Sequence, residues 1–214
     1  MARGITVKTL LGKTFNTFKF DGIWQEVLGE QERSGIWVVY ADEKNYKTYF
    51  TLMLSQYLTK FENVNYISGE EGTGFSFQQN AARVKIDFKN TKIKFYNFLL
   101  IEEIEEILSK RQAAKIMVID NATSYIDDLK SETLRKLIRD YPKTLFIIIC
   151  HKEKDEPSTA MGKLAKKLCN VYISLTGSVA TVAGRCPGGN ILIDDQKAML
   201  YHGSQILKKQ GHEK

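Results

Sequence analysis

The chain has 214 residues, 43% of them hydrophobic and 26% charged, a balance that excludes a disordered polymer and fits one domain of ordinary to large size. Thirty-one basic residues against 25 acidic ones give a net charge of +6, which suits a nucleic-acid partner and equally suits a mixed solvated surface. The longest apolar run, Leu145 to Cys150, is too short to span a bilayer, and the first residues carry no apolar signal core. Cys150, Cys169 and Cys186 lack metal-ligand spacing, so a cytoplasmic setting without membrane or disulfides is expected.

Residues 1–20 read as a basic, polar arm whose Phe15, Phe18 and Phe20 pack onto the body of the protein. Its Gly12-Lys13-Thr14 is half of a phosphate loop with no strand before it, and it is set aside as a nucleotide site. Asp21 to Leu28, with Ile23, Trp24, Val27 and Leu28 on one face, predicts a short helix. Ile36 to Tyr40 is apolar on both faces, as in the centre of a parallel sheet. From Lys47, the residues Phe50, Met53, Leu54, Tyr57, Leu58 and Phe61 recur at helical spacing.

Val64 to Ser68 predicts a second strand, ending in the polar Gly69-Glu70-Glu71-Gly72. Phe75 to Val84 predicts a helix, Ile93 to Phe95 a short strand and Ile101 to Lys110 an acidic helix. Lys115 to Asp120 is a buried strand closed by a carboxylate. Ser131, with Glu132 in the first turn, opens a helix to Tyr141. Thr144 to Cys150 is the strongest strand signal and leads into His151. A polar loop follows over 152–159, then a basic helix from Gly162 to Cys169. Shorter strands at Val171–Leu175, Val179–Ala183, Asn190–Ile193 and Ala198–Tyr201 predict an antiparallel finish, and 204–214 a polar tail.

Strands alternating with helices up to about residue 150 predict an α/β sandwich with a mostly parallel sheet and antiparallel C-terminal strands, the main body spanning 21–203. In such sheets ligands sit at the carboxyl ends of the strands. The polar groups there are Lys47 with Thr48, Glu70 with Glu71, Asp120, and His151. Each alone has an ordinary structural explanation; their order is what points to a site.

A strand, the six residues Ala41, Asp42, Glu43, Lys44, Asn45 and Tyr46, then Lys47-Thr48 opening a helix, have the frame of the phosphate loop G-x-x-x-x-G-K-[ST], with Ala41 and Tyr46 in place of both glycines. The order of parts resembles the RecA-like ATPase core, in the style of the RadA, KaiC and DnaB-helicase branch and of small ATPases on bacterial mobile elements. The similarity covers roughly residues 20–203. It implies that residues 41–48 face the phosphates of ATP, that Thr48 holds Mg²⁺ with Asp120 behind it through water, and that Glu70 activates water. It further implies that His151 senses the γ-phosphate and couples to a DNA-facing loop ending near Met161.

The altered loop predicts impairment. Glycines let backbone N–H groups converge on an anion, often at positive φ, where a tyrosine is a steric outlier. Asp42 and Glu43 add negative charge that Lys44 and Lys47 only partly offset. Two functions remain open. One is a RecA-like nucleotide-binding protein with slow or no hydrolysis, acting on DNA in recombination, repair or mobile-element transfer, with Lys163, Lys166 and Lys167 on the DNA and Arg185 reaching a neighbour's nucleotide in a homo-oligomer. The other is an inactive scaffold or adaptor, paired with a paralogous active ATPase.

Overall fold

The computed structural model describes residues 4–125 and 131–194. The expected strand at 198–201 and the tail at 204–214 lie outside them. The helices are α1 (Val7–Leu11), α2 (Gly22–Leu28), α3 (Lys47–Leu58), α4 (Phe75–Arg83), α5 (Ile101–Ser109), α6 (Ser131–Asp140) and α7 (Ala160–Leu168). The strands are β1 (Gly35–Ala41), β2 (Val64–Ser68), β3 (Ile93–Tyr96), β4 (Ile116–Asp120), β5 (Leu145–Glu153), β6 (Glu156–Pro157), β7 (Val171–Thr176), β8 (Val179–Gly184) and β9 (Gly189–Leu192).

The sheet runs β3-β2-β4-β5-β1-β7-β8-β9, with β6 paired to β5. The neighbours from β3 to β7 are parallel; β7–β8, β8–β9 and β5–β6 are antiparallel. Central strands are buried on both faces, and alternate residues serve separate cores. Trp37, Val39, Ile147 and Ile149 join a cluster with Trp24, Phe50 and Leu54 under α2 and α3. Ile36, Val38, Phe146 and Ile148 join one with Ile104, Leu134 and Ala165 under α5, α6 and α7. The result is a three-layer sandwich.

Four details depart from expectation. The arm contains a short helix, α1, with no buried residue; its Thr6 caps it by accepting from the Thr9 N–H at 3.2 Å. Phe18 and Phe20 are buried as expected, but Phe15 is 59% exposed. Ile23 faces solvent, while its neighbours Trp24, Val27 and Leu28 are buried. Finally, β5 continues through His151 to Glu153 and turns at Lys154 (φ 59°) into β6, so the segment after His151 is a small hairpin before α7.

The start of α7 is fixed by close approach. A Cβ at Gly162 would lie 2.8 Å from Pro157 Cβ and 2.9 Å from Cys150 Sγ. Gly162→Ala is therefore expected to cost about 1–3 kcal/mol through overpacking, read as a lower urea midpoint with an unchanged slope.

Candidate nucleotide site

Register places the expected groups along one edge. Ala41 pairs with His151 across β1–β5, and Ser68 with Asp120 across β2–β4, so the loops after β1, β2, β4 and β5 leave the sheet together. The Gly69 N–H donates to the Asp120 carbonyl and ties two of these ends directly.

The loop after β1 holds two non-glycine residues in the left-handed region, Lys44 (φ 56°) and Tyr46 (φ 58°, ψ 11°). Tyr46 is the N-cap of α3, and Lys47 is its first helical residue. An adjacent left-handed and right-handed pair is the backbone of an anion-binding nest, and the helix N-terminus adds partial positive charge. The conformation that glycine would supply is thus present, occupied by a tyrosine at a cost of about 1–2 kcal/mol. The Tyr46 ring lies edge-on to Tyr49, centroids 6.3 Å apart.

A cleft of about 500 Å³ opens over this loop, lined by residues 43–49, by Glu70, Glu71 and His151, and by Asn80 and Arg83 of α4. Arg83 also lies 5.3 Å from the centroid of the Tyr49 ring. Asp42 is turned away from the cleft lining and ion-pairs with Lys152 at 3.6 Å. The cationic side chains Lys44, Lys47 and Arg83 therefore face Glu43, Glu70 and Glu71, an even balance that offers a free triphosphate little net attraction.

Lys47 is 8% exposed, and its Nζ is hydrogen-bonded to His151 Nδ1. An ammonium can only donate, so beside a charged lysine Nδ1 is the acceptor and the imidazole proton sits on Nε2. Nε2 lies 3.4 Å from Glu70 Oε1, and Glu70 Oε2 accepts from Asn121 Nδ2 at 3.0 Å. Burial lowers the Lys47 pKa, while Glu70, Asp120 and Glu43 oppose that shift. Lys47, His151 and Glu70 are thus one electrostatic unit.

Asp120 sits beneath this unit rather than in the cleft lining. Tyr66 Oη donates to its Oδ2 at 2.6 Å, Thr51 Oγ1 is 2.9 Å from Tyr66 Oη, and Thr51 donates to the Lys47 carbonyl at 2.8 Å. Burial raises the Asp120 pKa to about 6, against the pull of Tyr66 and Lys47. The Tyr66 pKa is pushed well above its usual value by burial and by Asp120.

Tyr66, Thr51, Asn121, Asn80 and Arg83 were not anticipated. The one local signal was Thr51, a polar residue one turn beyond Lys47 on the buried side of α3. Of the residues expected on DNA, Lys163 and Lys167 are exposed, whereas Lys166 pairs with Glu156 at 2.8 Å and lies over the Tyr40 and Tyr172 rings. Arg185 is exposed in the β8–β9 turn. That turn is at the opposite end of the sheet, since Gly184 pairs with Val171, where β7 begins.

The residues present suit Mg-ATP in part: a buried lysine, a hydroxyl at Thr48 and a nest are in place, with a tyrosine at the crowded position. Among the described residues no cluster of three or more His, Cys, Asp or Glu side chains could hold a metal. Mg²⁺ bound with phosphates needs only one or two protein groups.

The mostly parallel sheet with its antiparallel C-terminal strands is a RecA-like fold. Among solved structures the chain is similar to a KaiC-like protein from the hyperthermophilic archaeon Pyrococcus horikoshii OT3, with a TM-score of 0.59 at 16% identity over 80% of this chain and 88% of that one. It is also similar to the flagellar accessory protein FlaH from Methanocaldococcus jannaschii, with a TM-score of 0.58 at 14% identity over 83% and 93%. No protein-family model matches the chain, and no curated protein matches it. Among the described residues no helix is long and apolar enough to cross a membrane.

Proposed function

We propose that the protein is a RecA-fold nucleotide-binding protein that takes Mg-ATP weakly, hydrolyses it slowly or not at all, and acts on DNA in recombination, repair or mobile-element transfer. The observation that carries the nucleotide reading is the strained loop: Tyr46 keeps a left-handed backbone next to a buried lysine at a helix N-terminus. Strain of this kind persists where surrounding structure enforces it, and it clusters at ligand clamps. In this reading Lys47 neutralises phosphate charge, Thr48 and Asp120 serve the metal, and Glu70 with His151 faces the terminal phosphate. Bound Mg²⁺ would supply the charge neutralisation that the evenly balanced cleft lacks. The DNA role rests on the net charge of +6 and on exposed Lys163 and Lys167, on the helix that follows the His151 hairpin.

Calorimetry of the purified chain with Mg-ATP tests it. Weak, magnesium-dependent binding is expected, and its loss in Lys47→Ala. No heat at millimolar nucleotide would retire the ATP reading; unchanged binding in Lys47→Ala would place the ligand elsewhere. One observation favours a second reading, the inactive scaffold: the Lys47–His151–Glu70 chain already satisfies the lysine within the protein. A null calorimetric result would select it.

A further inference from the structure

A second charged surface begins at Arg83, on the wall of the cleft, and runs on from it to the sheet edge. The segment from Arg83 to Lys94 joins α4 to the edge strand β3, and its twelve residues include five basic and one acidic side chain, four of the six net positive charges of the chain. The one acid, Asp87, accepts from the Lys89 backbone N–H at 2.9 Å. Lys85, Lys89 and Lys94 are exposed and form no ion pair among the described residues. Lys92 and Lys94 also border a pocket of about 160 Å³ together with Lys110.

In the middle of this segment Phe88 is 92% exposed, the most exposed large hydrophobic side chain among the described residues, with Lys89 Nζ 5.6 Å from its ring centroid. The segment is held in place, since Gln56 donates to the Lys85 carbonyl at 3.3 Å, Asn90 to Thr59 Oγ1 at 3.0 Å and Lys92 to the Thr59 carbonyl at 3.1 Å. The aromatic ring is therefore presented on an anchored loop.

Lys85 adds a second signal. The end of α4 is a Schellman turn, with the Ile86 N–H bonded to the Ala81 carbonyl at 3.2 Å and Lys85 left-handed at φ 59°. Glycine is the favoured residue at that position, and a lysine there is held against the backbone preference.

We infer that the Arg83–Lys94 segment binds single-stranded nucleic acid, with Phe88 stacking on a base while Lys85, Lys89 and Lys94 neutralise phosphates. An exposed ring among unpaired lysines suits a strand whose bases are free to stack. A duplex would use only the lysines. A membrane surface would call for several apolar side chains on one face, and here Phe88 is the one exposed apolar residue of the segment. The surface is separate from the DNA contacts proposed above: it lies at the β3 edge, three strands from β5 and its hairpin. It stands whether or not the cleft binds nucleotide.

Fluorescence anisotropy of a labelled twenty-residue oligothymidylate with the full chain tests it, at two salt concentrations. Phe88→Ala is expected to weaken binding at least about fivefold with little change in salt dependence. Lys85→Gly and Lys89→Gln are each expected to lower the log–log salt slope by about 0.7. Lys85→Gly also relieves the left-handed strain, so a loss of binding there cannot come from unfolding. Wild-type affinity in all three variants, with loss on Lys163→Gln and Lys167→Gln, would overturn the inference and leave the strand-end DNA reading standing. No oligonucleotide binding by the wild type, with or without retention on phosphatidylserine vesicles, would overturn it too.

Discussion

Tyr46→Gly is expected to tighten Mg-ATP binding by about tenfold or more and to raise folding stability by about 1 kcal/mol. The two effects have different origins. The left-handed strain at Tyr46 exists with or without ligand, so its relief changes stability and leaves affinity alone. The affinity gain comes from clearing the ring from the cleft wall, so that phosphate reaches the backbone N–H groups at the start of α3. Tyr46→Ala separates them, because it removes the ring and keeps the strain: it should gain affinity without stability. Calorimetry and urea unfolding read both. A Tyr46→Gly protein that binds no better than wild type would show that the tyrosine is not what limits the site.

Asp120→Asn is expected to stabilise the protein at pH 7.5 by up to about 3 kcal/mol, the worth of a shift from 3.8 to about 6. The sign follows from proton binding. Between pH 3.8 and about 6 the folded state holds a proton on Asp120 that the unfolded state has released, so stability falls as pH rises through this window. Below it both states are protonated and the group contributes nothing; above it the folded state bears the full cost of a buried carboxylate. Asparagine keeps an acceptor for Tyr66 and has no charge to bury. The difference between variant and wild type, from urea unfolding at each pH, should be near zero at pH 3.5 and largest above pH 6.5. An equal difference at both ends would mean that desolvation of Asp120 is not the cause. If Asp120 serves a metal, the same substitution should weaken Mg-ATP binding, placing stability and function in opposition at one residue.

The architecture was legible because a two-sided parallel sheet leaves a strong mark: Ile36 to Tyr40 and Leu145 to Cys150 are apolar on both faces, and each is followed by polar residues at the carboxyl end. Helices α3, α5 and α6 were readable from their spacing for the same reason, since each buries apolar residues in one of the two cores beside the sheet. α1 left no such mark because it buries nothing. The β5–β6 hairpin was missed because two residues on each side make too short a pattern to separate from a polar loop.

The site divides the same way. Its candidate groups, Lys47, Glu70, Asp120 and His151, each stand just after an apolar strand segment or at its last position, or open the helix that follows one, a pattern visible in the chain itself. Their connections are not. Tyr66 meets Asp120 across 54 positions and Lys47 meets His151 across 104, and which partner each group takes depends on packing between strands that the chain order does not specify. The conformation of Tyr46 was the sharpest case. The sequence alone established that a bulky residue replaces a glycine, and local sterics argue against a left-handed backbone there. Only the tertiary structure decided that the backbone stays left-handed, because β1 and α3 hold both ends of the loop and the five residues between them leave the chain little room to turn otherwise.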